Sequence, residues 1–355
     1  MKNASPLDLL EATRLTRAGR LLEATAAIQR LLGQPPVREP VHAPASGRII
    51  DAEFSRVDEP RAEAEQPAGR PGQFISASFG NHAGTRPYKL YIPRRYAGEP
   101  MPLIVMLHGC TQTPDDFAAG TRMNALAEER GCLVLYPAQT RAANRSRCWN
   151  WFRRGDQRRD QGEPAILAGM TRDCMKRYAI DPGRVYVVGL SAGGAMAAVL
   201  AAAYPELYAA VGVHSGLAVG SAHDVPSAFA AMRGTPTTPS ASGERSAGAV
   251  PLIVFHGDRD TTVHPRNGEQ VILEAAGRAA ASSVEQGQVP GGHAYTRTVH
   301  RDANGRIVLE HWSVHGAGHA WFGGSPGGSY TDPKGPDASR AILRFFGEAG
   351  GDSRP

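Results

Sequence analysis

The chain has 355 residues, 41% of them hydrophobic, and its 39 Lys and Arg residues against 34 Asp and Glu residues give a net charge of +5. This length and composition are sufficient for a globular protein with one large domain or two ordinary ones. A disulfide scaffold and a zinc site of paired cysteines are both excluded, because the chain has only four scattered cysteines, Cys110, Cys132, Cys148 and Cys174.

The first 33 residues repeat apolar side chains at helical spacing on either side of Gly19, which predicts two short helices over 1–33. This pair either packs on the main domain or serves as a docking arm. No apolar signal-peptide core and no run of 18 apolar residues is visible, so we expect no membrane span and a cytoplasmic location. Residues 34–72 are rich in Pro, Ala and charge and are interpreted as a linker.

Residues 73–348 alternate short apolar runs with helical stretches and form the predicted main domain, followed by a tail over 349–355. Such alternation predicts parallel strands joined by crossover helices, an α/β doubly wound sheet. Near its end, Asn304-Gly305 lies between two alternating segments and predicts an antiparallel hairpin before a last helix. The expected strands are 74–79, 88–92, 102–109, 132–138, 184–190, 209–216 and 251–260.

Ser191 lies in the pattern Gly-x-Ser-x-Gly between a β-branched run and an alanine-rich run, in "VVGLSAGGAMAAVLAA". Glycines at 189 and 193 allow a sharp strand-to-helix turn that exposes the serine hydroxyl above a sheet. A small Gly/Ser/Ala junction of no function would give the same short pattern. The interpretation of Ser191 as a nucleophile therefore requires a base, an acid and oxyanion donors elsewhere in the chain.

The acid is expected just beyond the strand that ends in "HGDRDTTVHP", on the same rim as the serine turn. Asp260 is the predicted acid, with Asp258 as the alternative, because Asp260 stands further into the loop. The base is expected on a loop after the final strand, in "HGAGHAW". There His319 is preferred to His315, because Gly316 and Gly318 make its segment pliable.

Tetrahedral oxyanions in acyl transfer are stabilised by backbone N–H groups. The residue after the nucleophile, Ala192, supplies one predicted donor. The loop "HGCTQTPDDF" follows the strand "LIVML" and supplies the second, the N–H of Cys110, because Gly109 frees the backbone to turn inwards.

Six segments together resemble the poly(3-hydroxybutyrate) depolymerase-like esterases, which are close to the feruloyl and acetyl-xylan esterases of the α/β-hydrolase fold. They are "LHGCTQTPDDFA", "CWNWF", "DPGRVYVVGLSAGGAMAAVLAA", "VHSG", "HGDRDTTVHP" and "GHAW…GSYTDPKGPDASRAILRFF". The resemblance implies a serine esterase for poly- or oligo(3-hydroxyalkanoates) or related short acyl esters. It assigns the nucleophile, acid and base to Ser191, Asp260 and His319, with Cys110 and Ala192 as donors.

Two other functions stay open in the sequence: a feruloyl or acetyl-xylan type of carbohydrate esterase, and a binding module that keeps the fold without turnover. No nucleotide fingerprint is present and the histidines do not cluster as metal ligands, so neither a cofactor nor a metal is expected. The oligomeric state is left open. Many relatives are secreted, so the resemblance also allows an extracellular location.

The resemblance places "CWNWF" beside the catalytic rim, so Trp149 and Trp151 are expected to form an apolar wall for the acyl chain, with Trp321 facing them. It also brings Cys110 and Cys148 together, which makes a disulfide between them possible. The same tryptophans lie in a basic run over residues 141–160, a pattern that single-stranded nucleic acid would also fit. The resemblance favours the substrate wall, and we expect no nucleic-acid partner.

Overall fold

The computed structural model describes residues 72–235 and 250–350. The predicted N-terminal helices and most of both the linker and the tail lie outside these described residues. No helix within the described ranges is long and apolar enough to cross a membrane.

Ten strands form one sheet. They are β1 (Gln73–Asn81), β2 (Gly84–Ile92), β3 (Met101–Leu107), β4 (Leu133–Pro137), β5 (Ile180–Leu190), β6 (Ala210–His214), β7 (Leu252–Gly257), β8 (Ala281–Gln288), β9 (Ala294–Arg301) and β10 (Ile307–Val314). A separate ribbon pairs β11 (Trp321–Phe322) with β12 (Thr331–Asp332). The helices are α1 (Pro114–Thr121), α2 (Met123–Arg130), α3 (Gly162–Arg177), α4 (Ala192–Ala203), α5 (Val225–Met232), α6 (Arg266–Ala275) and α7 (Ala338–Gly350), with 3₁₀ turns at Arg154–Gln157 and Ala276–Arg278.

The strand order is β1-β2-β4-β3-β5-β6-β7-β10-β9-β8. The central strands from β4 to β10 pair in parallel, whereas β1, β2, β9 and β8 add antiparallel edges. The predicted mostly parallel α/β sheet is thus confirmed, as is the hairpin of β9 and β10 around Asn304-Gly305. Strand β8 was not predicted, because its sequence ASSVEQGQ is almost wholly exposed and shows no apolar alternation.

The core lies on both faces of this sheet, as a buried parallel strand requires. In β3, Leu103, Val105 and Leu107 pack into one apolar cluster, while Ile104 and Met106 pack into the other. The alternation follows from the two-residue period of a strand. A strand that is apolar at every position is therefore fixed between two layers, and its carboxyl end is held in place.

The carboxyl ends of four neighbouring parallel strands meet at one edge of the sheet. Leu190 at the end of β5 pairs with His214 of β6, and His214 pairs with Phe255 of β7. Val314 at the end of β10 pairs with Gly257 of β7. The loops that carry Ser191, the aspartates and the C-terminal histidines therefore all leave the sheet at this edge.

Candidate active site

Ser191 lies at the turn between β5 and α4 in a strained backbone conformation, with φ 58° and ψ −119°. Positive φ costs a residue with a side chain about 1–3 kcal/mol, and such residues concentrate at functional sites. The Ser191 N–H donates to the carbonyl of His214 at 2.8 Å, which ties the turn to the end of β6. The serine, 9% exposed, thus stands at the N-terminus of a buried helix.

The two glycines of the motif are needed for space at this turn. A Cβ on Gly189 would lie 2.3 Å from the carbonyl carbon of Gly193. A Cβ on Gly193 would lie 2.1 Å from the carbonyl oxygen of Leu107 on the neighbouring strand. Both distances are far shorter than a van der Waals contact, and in both cases the neighbouring atom belongs to the backbone and cannot move aside. The Gly-x-Ser-x-Gly pattern is therefore a steric requirement of the turn and not a chance composition.

Asp260 and His319 are joined by a hydrogen bond of 2.7 Å between the carboxylate Oδ2 and the imidazole Nδ1. The Asp260 side chain is fully buried, and that of His319 is 9% exposed. The other carboxylate oxygen accepts from the backbone N–H groups of Thr262 at 2.9 Å and Val263 at 2.8 Å. With Nδ1 donating to the carboxylate, Nε2 of His319 is left as the proton acceptor.

Burial by itself would raise the pKa of Asp260, but hydrogen bonds from His256 and His319 outweigh it and hold that pKa well below its ordinary value. The carboxylate is therefore ionised throughout the neutral range. His256 lies 3.4 Å from Asp260 Oδ2 and donates from Nε2 to the carbonyl of Val263 at 2.8 Å. The position of His256 four residues before Asp260 was a sequence signal for this second contact.

The two residues held as alternatives, Asp258 and His315, pair with each other. His315 Nδ1 lies 3.1 Å from Asp258 Oδ2, and the N–H of Gly316 donates to Asp258 Oδ1 at 2.7 Å. Both side chains are more than two-fifths exposed, at 45% for His315 and 41% for Asp258. This pair ties the loop after β7 to the loop after β10, whereas the buried pair lies deeper between the same loops.

His214 connects the serine turn to the segment that follows His319. Its carbonyl accepts from Ser191, and its ring Nε2 accepts from the N–H of Phe322 at 3.2 Å. The ring is completely buried, and its pKa is well below the ordinary value because of burial first, then the nearby charges of His256 and His319. The serine turn and the backbone at Phe322, three residues after His319, are therefore both hydrogen-bonded to His214.

The loop after β3, which carries Cys110, is fixed by its own polar side chains. The N–H of Gly109 donates to Gln112 Oε1 at 2.9 Å, and Gln112 Nε2 donates to Asp116 Oδ2 at 2.8 Å. His108 donates from Nδ1 to the Gly109 carbonyl at 2.7 Å and accepts at Nε2 from the N–H of Gln139 at 3.1 Å. No role was predicted for Gln112, although it follows Gly109 by three residues, the spacing of a turn.

Cys110 and Cys148 form a disulfide, with Cα atoms 4.2 Å apart. Beside it, the N–H of Thr111 donates to the carbonyl of Ser146 at 2.7 Å. The loop after β3 and the "CWNWF" segment are thereby joined by a covalent bond and a backbone hydrogen bond. The other predicted oxyanion donor, Ala192, is the first residue of α4. The N–H groups in the first turn of a helix have no acceptor within the helix.

The three tryptophans that were expected to form an apolar wall for the acyl chain, Trp149, Trp151 and Trp321, are buried instead. Trp149 is 0% and Trp321 1% exposed, so neither indole presents a wall to a ligand. Trp149 donates from Nε1 to the His108 carbonyl at 3.1 Å, and Trp321 donates to Ser339 Oγ at 3.0 Å and stacks on His214. Trp151 is also buried, at 6%. Trp149 and Trp321 are thus core side chains whose N–H groups have acceptors, as buried indoles require.

A buried carboxylate that the sequence did not reveal anchors the "CWNWF" segment. Glu163 accepts from the N–H and from the side-chain Nδ2 of Asn150, both at 2.7 Å, and also from Gln139 Nε2. The Arg86 guanidinium lies 3.3 Å away. Burial raises the pKa of Glu163. A Glu in the first turn of a helix is ordinarily solvated, so no sequence signal distinguished it.

Strained backbone also occurs at the rim of the disulfide. Thr111 has φ 68° and Tyr330 has φ 51°, and their hydroxyl groups lie 3.2 Å apart. Tyr330 is 46% exposed. Non-glycine residues in this region of backbone space are uncommon and mark sites whose geometry is imposed by their surroundings. The exposed tyrosine places an aromatic ring beside Cys110, a position that the sequence analysis did not single out.

Taken together, these residues present a serine on a tight turn, a buried carboxylate–imidazole pair at the same sheet edge and two backbone segments with N–H groups. Acyl transfer through a serine requires this set of groups. The family described as "Esterase PHB depolymerase" matches residues 86–279. The chain belongs to this family.

Curated relatives carry the names of ester hydrolases. A poly(3-hydroxyalkanoate) depolymerase C of Paucimonas lemoignei is 32% identical over 68% of this chain and 60% of the relative. A feruloyl esterase B of Neurospora crassa is 27% identical over 72% of this chain and 86% of the relative. The chain therefore spans about 60% of the length of the depolymerase relative.

Among solved structures, an acetyl xylan esterase from Aspergillus awamori matches this esterase-family chain with a TM-score of 0.62 at 23% sequence identity. The match covers 78% of this chain and 99% of that one. At this identity the likeness establishes the fold, which is the α/β-hydrolase fold that the sequence implied. The family resemblance and the fold are thus both confirmed.

Proposed function

We propose that the protein is a serine esterase in which Ser191 is the nucleophile, His319 the general base and Asp260 the residue that orients and stabilises the imidazole. The observation that carries the proposal is the buried hydrogen bond between Asp260 and His319 at the sheet edge where the strained Ser191 turn emerges. An ionised carboxylate on Nδ1 fixes the tautomer that leaves Nε2 free to accept a proton.

In the proposed reaction, Ser191 Oγ attacks the ester carbonyl while His319 Nε2 takes the hydroxyl proton. The N–H groups of Cys110 and Ala192 donate to the developing oxyanion. Collapse of the tetrahedral intermediate breaks the C–O bond, and the imidazolium returns its proton to the leaving alcohol. Water then attacks the acyl-enzyme by the same route and releases the acid.

The proposed substrates are poly- or oligo(3-hydroxyalkanoates) or related short acyl esters, on the strength of the depolymerase relative. A carbohydrate esterase of the feruloyl or acetyl-xylan type is the second candidate, because relatives with those names also match. The two differ in the alcohol that leaves: a hydroxy acid in the first and a sugar in the second.

The test ranks kcat/KM of the purified protein on hydroxybutyrate oligomers, feruloyl esters, acetylated xylan and p-nitrophenyl esters of graded length. The proposal expects the highest values for hydroxybutyrate oligomers or short acyl esters and stoichiometric labelling of Ser191 by a serine-directed phosphonate. A preference for acetylated xylan would select the second candidate. Absence of turnover on every ester would favour a binding module.

The disulfide also supports a proposal about the compartment in which the protein is located. Disulfides form and persist in oxidising compartments and are rare in the cytoplasm. The Cys110–Cys148 bond therefore favours an extracellular or other oxidising location over the cytoplasmic one expected from the N-terminal sequence. Counting free thiols in protein isolated with an alkylating agent present tests this: two reactive thiols beyond Cys132 and Cys174 would contradict it.

A further inference from the structure

The segment "RAANRSRCWNWFRRGDQRRD", residues 141–160, contains seven arginines and two aspartates. Its net charge of +5 equals that of the whole chain, so the charges of the remaining residues balance. The two aspartates offset only two of the seven arginine charges, and the Asp156 carboxylate lies within electrostatic range of Arg153. Asp156 accepts the N–H of Glu163 at 2.7 Å, and Asp160 lies 3.7 Å from Arg159, which also pairs with Glu206.

The structure separates the cations of this segment from its aromatic rings. Trp149 and Trp151 are buried, and only Phe152 of the aromatic side chains is half-buried. Base stacking requires exposed rings, so the surface lacks the platform that a single-stranded nucleic acid would use. The arginines, in contrast, stay at the surface. We define the arginine patch as the exposed residues Arg141, Arg145, Arg153, Arg154 and Arg158.

Hydrogen bonds bring the two halves of the patch together. Asn144 Nδ2 donates to Asn150 Oδ1 at 3.0 Å, which joins the stretch that begins at Arg141 to the "CWNWF" segment. The N–H of Arg153 then donates to the Asn150 carbonyl at 2.9 Å. The patch is therefore one surface held on the buried Asn150–Glu163 anchor and not two separate loops.

The patch adjoins the proposed oxyanion loop. Cys148 lies between its two halves in the sequence and is bonded to Cys110. Arg147, half-buried, donates to the Thr111 carbonyl at 3.4 Å and so lies directly beside Cys110. Because the guanidinium group is permanently charged and matches carboxylate geometry, positive potential at this rim favours a substrate with an anionic end.

We propose that the arginine patch is a subsite for the free carboxylate of the substrate, so that the enzyme prefers esters with an anionic end, such as linear hydroxy-acid oligomers, to neutral esters. The inference rests on the proposed esterase function and narrows its substrate class. A hydroxy-acid oligomer has one carboxylate terminus, whereas an acetylated neutral sugar chain has none. The positive potential of the arginine patch would attract the carboxylate of the oligomer and would have no effect on the uncharged sugar chain.

The test uses a matched pair of substrates, the p-nitrophenyl monoester of glutaric acid and p-nitrophenyl pentanoate, which differ at the far end of the acyl chain. The readout is the ratio of their kcat/KM values, anionic over neutral. We expect a ratio above one that falls about tenfold between about 20 mM and 500 mM salt, because salt screens exposed charges. The double variant Arg153→Gln/Arg154→Gln is expected to lower the ratio several-fold at low salt.

The matched control is Arg130→Gln/Arg306→Gln, which removes the same charge from exposed positions on α2 and the β9–β10 turn. It should leave the ratio as in the wild type. Hydrolysis of both esters with a ratio near one and no salt effect would overturn the subsite and leave the esterase proposal standing. Equal effects of the two double variants would also overturn it, as would tight binding of a single-stranded oligonucleotide with a ratio near one. Failure to hydrolyse either ester would instead contradict the esterase proposal.

Discussion

The imidazole of His319 donates to the carboxylate of Asp260 across 2.7 Å, although 59 residues separate them in the chain. The bond joins the loop after β7 to the loop after β10, two strands that are parallel neighbours in the sheet. Parallel neighbours end at the same edge, so residues a few positions beyond each end are brought into contact. The topology therefore assembles the pair, and burial gives the bond its strength.

Replacing Asp260 by Asn should lower kcat by about 10²- to 10⁴-fold, because an amide at Nδ1 no longer fixes the productive tautomer or stabilises the imidazolium. The measurement is steady-state hydrolysis of a p-nitrophenyl ester. Asp258→Asn is the matched control: its carboxylate is exposed and bonds to His315 and the N–H of Gly316, so a loss of less than about tenfold is expected. The reverse order of the two variants would assign the acid to Asp258.

Ser191→Ala should abolish ester turnover and phosphonate labelling while the circular dichroism spectrum stays unchanged, since the acyl intermediate has no nucleophile. The exposed Ser78→Ala serves as control and should keep both. Ser191→Gly should also be inactive but more stable than Ser191→Ala by about 1 kcal/mol, because glycine adopts positive φ without strain. Equal stability of the two variants would show that the turn stores no strain.

The sequence was sufficient to predict the features that depend on periodicity and chain order. Apolar runs predicted the parallel strands, and Asn304-Gly305 predicted the hairpin. The choice of Asp260 and His319 followed from which loops leave the carboxyl edge of a sheet, and those two residues are hydrogen-bonded in the structure. Strand β8 was missed because an exposed edge strand of polar residues has no apolar pattern to detect.

Burial and long-range pairing could not be predicted in the same way. Trp149 occurs in a loop and Trp321 in the two-residue strand β11, and only the packing of several segments shows that both are buried. Glu163 contacts residues 139 and 150 through a chain reversal that no local spacing encodes. The pairing of Asp258 with His315 was also not predicted, because these residues entered the sequence argument only as the alternatives to Asp260 and His319.

Glu163→Gln should destabilise the protein by about 2–4 kcal/mol, because the buried carboxylate accepts from Asn150 and Gln139 and faces the Arg86 guanidinium. Urea unfolding followed by tryptophan fluorescence measures the change. Glu129→Gln, an exposed partner of Arg340, is the control and should cost less than about 1 kcal/mol. Equal losses would mean that the "CWNWF" segment is not anchored through Glu163.

The stability of the protein should decrease between about pH 6.5 and pH 4, in part through His108. Burial lowers the pKa of His108 to about 4, whereas a histidine in an unfolded chain has a pKa near 6.5. The unfolded state thus binds the proton first, so the contribution of His108 is complete above about pH 6.5 and is lost as the pH falls towards 4. The two pKa values imply a loss of roughly 3 kcal/mol at most.

This loss is measured from urea midpoints at about pH 7 and pH 4.5 in the wild type and in His108→Gln. The variant should show a smaller difference between the two pH values than the wild type, whatever its absolute stability. His223→Gln, at an exposed position on the loop before α5, is the control and should keep the wild-type difference. An unchanged difference in His108→Gln would show that His108 is not kept neutral by burial.

Breaking the Cys110–Cys148 bond should weaken both stability and turnover. The bond closes a separation of 38 residues, for which the chain-entropy estimate is about 4 kcal/mol as an upper value. It also holds the loop that carries the proposed Cys110 N–H donor, so dithiothreitol should lower kcat more than it changes KM. Cys132 and Cys174 are buried with thiol pKa values raised to about 12, and they should not contribute to the effect.

The variant Cys110→Ser/Cys148→Ser should resemble the reduced wild type and be insensitive to dithiothreitol, whereas Cys174→Ala should retain full sensitivity. Sensitivity to dithiothreitol that persists in Cys110→Ser/Cys148→Ser would assign the effect to another group and remove the disulfide from the support of the oxyanion loop.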